Sequence, residues 1–315
     1  MRNGPPSGPL TRKALRSGEH PLWNLPRASL PRRPKRHIRR HRDQVPPLRH
    51  PECPEAPGAH TRAPRASTPW RRFVFLDRKD IGAATLYLGD ALEILPTLAP
   101  GSVGAVLCDP PYSSGGASLS DRSRPTSAKY QSSEHRGLYP EFQGDTRDQR
   151  SYLAWSTLWL SRARMLAAPG ALCAVFTDWR QLPVTSDALQ CAGWVWRGVA
   201  PWDKTERGRP QLGRYRAQAE YVVWGTNGAR PLKGPVAPGV FRAPIPHVKH
   251  HIAGKPVELM EGLMSIMEGP ILDPFMGSGT VGLACARKGL PYIGIEVEPA
   301  YYEIALSRLE AEGKG

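Results

Sequence analysis

Twice in this chain a short apolar run stops at Asp-Pro. Residues 103–108 lead into Asp109-Pro110-Pro111-Tyr112. Ile271-Leu272 leads into Asp273-Pro274-Phe275-Met276-Gly277-Ser278-Gly279-Thr280, 164 positions later. A nearly continuous apolar run of this kind suits a strand buried on both faces of a parallel sheet. Open α/β sheets bind ligands beyond the carboxyl ends of their strands, so both Asp-Pro motifs stand where a ligand is expected. The rest of the chain alternates in the same manner. Segments 84–88, 171–177, 194–199, 220–224 and 291–295 read as strands, and 91–98, 152–166, 182–191, 255–267, 280–288 and 300–309 as helices. That alternation predicts one doubly wound, mostly parallel α/β domain.

Charge is unevenly placed. The formal net charge is +15, but residues 1–72 hold 17 Lys/Arg against 4 Asp/Glu, while the remaining 26 and 24 nearly cancel. The high pI therefore says little about the folded part. Residues 1–70 are rich in Pro, Arg and His, as in Pro31-Arg32-Arg33-Pro34-Lys35-Arg36-His37. Such a composition buries too little surface to offset chain entropy, so a disordered tail is expected, followed by a folded domain over 71–315. The tail reads as a polybasic arm on DNA phosphates, as a solvated extension, or as sequence foreign to the natural protein.

Five cysteines (Cys53, Cys108, Cys173, Cys191, Cys285) lie scattered without a CxxC pair, which fits reduced thiols in a cytoplasmic protein. His250-His251 has no third ligand placed beside it, and no metal is expected. There is no run of 18 apolar residues and no signal-peptide core, so the expectation is a soluble protein without a membrane partner.

Asp109-Pro110-Pro111-Tyr112 suits a grip on a planar amino group. The exocyclic nitrogen of adenine or cytosine is a poor nucleophile because its lone pair is delocalised into the ring. A carboxylate (Asp109) accepting one N–H and a backbone carbonyl (Pro110) accepting the other favour a pyramidal nitrogen. Pro110 and Pro111 fix the backbone and remove competing donors. Tyr112 offers a face on which a base extracted from a duplex can stack. The same four residues also make an ordinary strand-ending turn.

In the second motif, Gly277 and Gly279 permit a tight turn and close approach of backbone to ligand, and Thr280 opens a helix. Glu296 follows Gly277 by 19 positions at the end of the next strand, a spacing suited to binding ribose hydroxyls. The acid at the head of the turn, Asp273, suits a cationic amino group better than a pyrophosphate. A glycine-rich turn of some other nucleotide-binding α/β protein would share many of these features.

Together these motifs resemble those of the amino-group DNA methyltransferases, in the beta arrangement where the catalytic motif precedes the cofactor motif. The similarity spans roughly 84–310 and includes Gly89-Asp90, Phe176-Thr177-Asp178-Trp179, Glu220-Tyr221-Val222-Val223-Trp224, Lys255-Pro256-Val257-Glu258-Leu259 and Gly294-Ile295-Glu296. It implies a Rossmann-like sheet, S-adenosyl-L-methionine as cofactor and double-stranded DNA as partner. It also implies that Asp109, Pro110, Pro111 and Tyr112 are catalytic. Asp273, Phe275, Gly277, Gly279 and Thr280 would border the cofactor, with Glu296 on the ribose and Asp90 near the adenine. Lys255, counted with the cofactor-binding residues, would lie at the start of the helix leading to the cofactor strand. Asp90 reads equally as a helix cap, and Lys255 as a solvated first-turn charge.

The resemblance points to adenine N6 as the methyl acceptor, since Asp rather than Ser heads the catalytic motif. Cytosine N4 and an inactive DNA-binding protein of the same fold are the alternatives. Loops 113–150 (Arg122, Arg124, Lys129, Arg136, Arg147) and 225–250 are candidate DNA-recognition segments, with Arg207, Arg209, Arg214 and Arg216 as a second basic surface. A homodimer, a companion restriction endonuclease and a solitary enzyme are all compatible with the chain.

Overall fold

Side-chain alternation along the apolar runs divides the core in two. In strand β3 (Val103–Cys108), Ala105 and Leu107 face one side of the sheet while Val106 and Cys108 face the other. Strand β4 (Ala167–Thr177) does the same, with Leu172, Ala174 and Phe176 opposed to Cys173 and Val175. Both faces of these strands are buried, as continuous apolar runs demand. The computed structural model describes residues 75–113, 145–207, 212–246 and 254–313. The tail expected over 1–70 lies outside the described residues, as do Arg122, Arg124, Lys129, Arg136, Arg209, His250 and His251.

The remaining strands are β1 (Asp77–Ile81), β2 (Ala84–Leu88), β5 (Val195–Asp203), β6 (Ala219–Thr226), β7 (Phe241–Arg242), β8 (Ile271–Asp273) and β9 (Tyr292–Glu296). They form one sheet in the order β1-β2-β9-β8-β3-β4-β6-β5-β7. From β2 to β4 every pairing is parallel, while β6 runs antiparallel to both β4 and β5. Helices α1 (Ala91–Ile94), α2 (Gln149–Leu166) and α3 (Leu182–Cys191) cover one face. Helices α4 (Val257–Leu263), α5 (Thr280–Lys288) and α6 (Pro299–Glu312) cover the other. The expected doubly wound, Rossmann-like architecture is the one observed.

Helix α2 shows why these residues are helical. Tyr152, Ser156, Trp159, Leu160, Ala163 and Leu166 fall on one buried stripe at helical spacing. Asp148 caps its start, accepting from the N–H groups of Arg150 and Ser151 at 2.9 Å each. Gly279 caps the start of helix α5 with φ +79°, and a Cβ there would lie 3.0 Å from the Cβ of Ala305 on α6. Only glycine combines that backbone conformation with so close a helix contact.

Several boundaries differ from the sequence expectation. Pro169-Gly170 does not separate α2 from the next strand but lies inside β4, which begins at Ala167. Asn227 supplies the partners that make this work, accepting from Gly170 N–H and donating its side-chain amide to Ala167 O, each at 2.8 Å. Strand β1, with sequence DRKDI, has no apolar alternation and escapes a sequence reading; it is a polar edge paired to β2. Phe241-Arg242, within the segment read as irregular, forms β7 beside Trp202 and Asp203.

Candidate active site

Strands β3 and β8 are hydrogen-bonded neighbours, with Ala105 opposite Ile271 and Val106 opposite Leu272. The two motifs therefore leave the same edge of the sheet side by side. Strand β9 is the next neighbour, with Asp273 opposite Gly294, and it delivers Glu296. Three acids thus end three consecutive strands, as their Asp-Pro and Gly-Ile-Glu contexts lead one to expect.

Asp109 sits in a charged cluster. Its Oδ2 lies 2.6 Å from Lys255 Nζ, and its Oδ1 accepts from the Tyr112 hydroxyl at 2.6 Å. Burial pushes the Asp109 carboxyl above the ordinary range and the Lys255 ammonium beside it opposes that shift. Pro110 is buried, while Pro111 and Tyr112 are half-buried beside the cluster. Lys255, expected among the cofactor residues, makes its contacts to the catalytic motif and lies 5.3 Å from the Tyr112 ring centroid.

Glu220, the second residue of β6, has no role in the sequence reading beyond its place in the segment Glu220-Tyr221-Val222-Val223-Trp224. It contacts Lys204 at 3.2 Å, Lys255 at 3.3 Å and the Tyr112 hydroxyl at 3.2 Å. A carboxylate near the start of an otherwise apolar strand was the available signal, because such a group needs partners when buried.

The glycine turn is held from two sides. Gly277 N–H donates to Glu296 Oε2 at 2.8 Å, and Met276 N–H donates to Ile295 O at 2.9 Å. The other carboxylate oxygen of Glu296 accepts from the N–H groups of Val297 and Glu298 at 3.0 and 2.9 Å. Arg308 on α6 donates to the carbonyl and hydroxyl of Ser278. Phe275 packs its ring against Trp155 and Trp159 of α2, with centroids 5.2 and 5.1 Å away. Thr280 is the first residue of α5. Asp90 caps α1 through Leu92 N–H at 2.8 Å, while the adjacent Gly89 N–H donates to Glu296 O at 2.7 Å. The cap accounts for Asp90 in the fold and also places it beside the end of β9.

Asp273 suits the cationic part of the expected cofactor. Its carboxyl is buried and accepts from Phe275 N–H at 3.1 Å and Tyr292 hydroxyl at 3.4 Å. Among the described residues no Lys or Arg forms an ion pair with it. Burial pushes its carboxyl well above the ordinary range. An ammonium or sulfonium brought to this position would supply the missing charge. Among the described residues no cluster of three or more His, Cys, Asp or Glu is arranged to hold a metal ion.

Known proteins match this arrangement. The DNA methylase family, comprising N6 and N4 methyltransferases, matches residues 103–307. The chain belongs to this family. It is an S-adenosylmethionine-dependent amino-group DNA methyltransferase with a Rossmann-like fold. Type II methyltransferase M.Cfr9I of Citrobacter freundii is 28% identical over 278 residues, covering 74% of this chain and 90% of that protein. The M1.HpyAVI–SAM complex superposes with a TM-score of 0.51 at 26% identity, covering 72% of this chain and 98% of the other. The cytosine-N4-specific PvuII DNA methyltransferase superposes with a TM-score of 0.53 at 15% identity, covering 76% and 95%. At that identity it shows the shared fold alone.

Two other features of this methyltransferase lie apart from the acids. A cavity of about 640 Å³ is lined by Leu172, Trp224, Phe241, Leu263 and Met267 under residues 230–239, and none of the site's carboxylates lines it. Arg230 anchors that segment, donating to Gly170 O and Ile266 O. Asn227 and Arg230 therefore sit at the opposite end of the sheet from Asp109, and the chain returns to the Asp109 side only at β7. No helix among the described residues is long and apolar enough to cross a membrane.

Proposed function

We propose that the protein transfers the methyl group of S-adenosylmethionine to an exocyclic amino nitrogen of a base flipped out of duplex DNA, with Asp109, Pro110 and Tyr112 holding the base. The observation that carries this reading is the adjacency of β3 and β8, which brings Asp109 and Asp273 together from distant parts of the chain. The cofactor supplies an electrophilic methyl on a sulfonium. Asp109 accepts one amino hydrogen and the carbonyl of Pro110 the other, which draws the nitrogen lone pair out of the ring. Pro111 fixes the turn and Tyr112 stacks on the flipped base. No covalent enzyme intermediate is needed, and Cys108 is a buried core residue.

On the cofactor side, Asp273 faces the methionine ammonium, Phe275, Gly277, Gly279 and Thr280 border the cofactor, and Glu296 takes the ribose hydroxyls. Asp90 flanks the adenine. The order of motifs, Asp109 before Asp273, is that of the beta arrangement. The DNA surface includes 113–150, the part of 225–250 that returns at β7, and Arg207, Arg214 and Arg216 beyond β5. The complete set of Asp109, Tyr112, Gly277, Gly279 and Glu296 favours an active enzyme over an inactive DNA-binding protein.

Adenine N6 as acceptor rests on Asp109 heading its motif, and the relatives do not single it out. The family model that the chain matches covers both N6 and N4 enzymes. Cytosine N4 is therefore the second reading, and the same grip serves either amine. Nucleoside mass spectrometry of unmethylated duplex DNA incubated with the protein and S-adenosylmethionine decides. N6-methyladenine or N4-methylcytosine identifies the base; no methylated base on varied DNA contradicts the reading.

A further inference from the structure

Glu220 is the second residue of strand β6, and nothing in the proposed methyl transfer uses it. Its Oε1 lies 3.2 Å from Lys204 Nζ, and its Oε2 lies 3.3 Å from Lys255 Nζ and accepts from the Tyr112 hydroxyl at 3.2 Å. Lys255 and Tyr112 are also the two groups that occupy Asp109, at 2.6 Å each. One ammonium and one phenol are thus shared between two carboxylates from different strands.

We infer that Glu220 and Lys255 are positioning residues for Asp109. Glu220 holds the Lys255 ammonium and the Tyr112 hydroxyl where they fix the Asp109 carboxylate for the amino hydrogen of the target base. This inference rests on reading Asp109 as the group that accepts that hydrogen. Each carboxylate oxygen offers two lone-pair sites. Lys255 uses one on Oδ2 and Tyr112 one on Oδ1, so the clamped carboxylate keeps a free acceptor direction on each oxygen while losing its rotation. The Lys255 side chain is only 4% exposed, so it has little water to turn to when a partner is removed.

The arrangement also sets the charge of Asp109. The groups facing it are Lys255 ahead of α4, Tyr112 in its own turn, Glu220 on β6 with Lys204 behind it, Asp273 on β8, and Cys108 directly before it. Glu220 raises the proton affinity of Asp109, and Lys255 lowers it. Neutralising either one must therefore move Asp109 in opposite directions, which a merely structural role would not do.

The test is the pH profile of single-turnover methyl transfer to duplex DNA for the wild type, Glu220→Gln and Lys255→Met, with S-adenosylmethionine affinity and melting temperature measured in parallel. Glu220→Gln is expected to lower the rate by on the order of 100-fold, the cost of a small misplacement at a reacting centre, with cofactor affinity unchanged. Its acid limb moves to lower pH, and that of Lys255→Met to higher pH. Glu220→Asp keeps the charge and returns the limb toward the wild-type position without restoring the full rate. Lys255→Arg, which keeps the charge, stands in should the Met variant fail to fold; its limb stays near the wild-type position. A Glu220→Gln enzyme with the wild-type rate and limb overturns the inference. So does a rate loss matched by loss of cofactor binding and melting temperature. A wild type that methylates no DNA overturns the proposed function, and this inference with it.

Discussion

The backbone N–H of Gly277 donates to Glu296 Oε2 at 2.8 Å, joining the glycine turn after β8 to the end of β9. The same carboxylate accepts two more backbone N–H groups, from Val297 and Glu298. Three donors fix its orientation before any ribose arrives. Hydrogen bonds to a charged group contribute about 1.5–3 kcal/mol each. Glu296→Ala is therefore expected to weaken S-adenosylmethionine binding by roughly tenfold or more, at about 1.4 kcal/mol per tenfold. Isothermal titration calorimetry checks this, and an unchanged Kd would remove Glu296 from the cofactor site.

Asp273 predicts a trade of stability against binding. Burial raises its carboxyl pKa in the folded protein, so the folded state binds a proton more tightly there than the unfolded chain. Stability from this group is then fully present at pH below the unfolded value and falls as pH rises toward the raised folded value. Asp273→Asn, whose Oδ1 can still accept from Phe275 N–H and whose amide N–H can donate to the Tyr292 hydroxyl oxygen, should melt higher than the wild type near pH 7. A rise of about 2–4 °C would correspond to roughly 1 kcal/mol in a domain of this size. The gain should vanish in acid, and cofactor binding should be lost. Differential scanning fluorimetry across pH, with and without cofactor, reads both effects.

Tyr112 carries two separable roles. Its hydroxyl bridges Asp109 and Glu220, while its ring is half-buried at the mouth of the cluster. Tyr112→Phe keeps the ring and should lower kcat with little change in KM for DNA. Tyr112→Ala removes the stacking surface, which contributes about 1–3 kcal/mol per base. A fluorescent adenine analogue at the target position should flip out for the Phe variant and remain stacked for the Ala variant. Equal signals from both would mean that Tyr112 does not face the base.

Much of this was legible because the relevant residues are bounded by the chain's own grammar. The run 103–108 had to be a buried strand, and it ends at Asp109; the run before Asp273 behaves alike. What the chain could not disclose was neighbourhood. Lys255 stands 146 residues from Asp109, and Glu220 stands 108 from Tyr112, so neither contact has a local signature. Asp90 reads from sequence both as a cap and as a cofactor residue, and the cap is visible because capping is a local geometry. Strand β1 has no sequence signature because an exposed edge has no need of apolar alternation, and the extent of β4 has none because Asn227, 60 residues away, supplies partners to its first residues.

The central claim is that Asp109 holds the amino group that receives the methyl. The most direct measurement is methyl transfer from S-adenosylmethionine to duplex DNA by Asp109→Ala, with cofactor affinity determined on the same preparation. Cofactor binding should stay intact while methylation falls by at least about 100-fold, the usual loss when a stabilising group at a reacting centre is removed. Methylation by Asp109→Ala at the wild-type rate would contradict the claim.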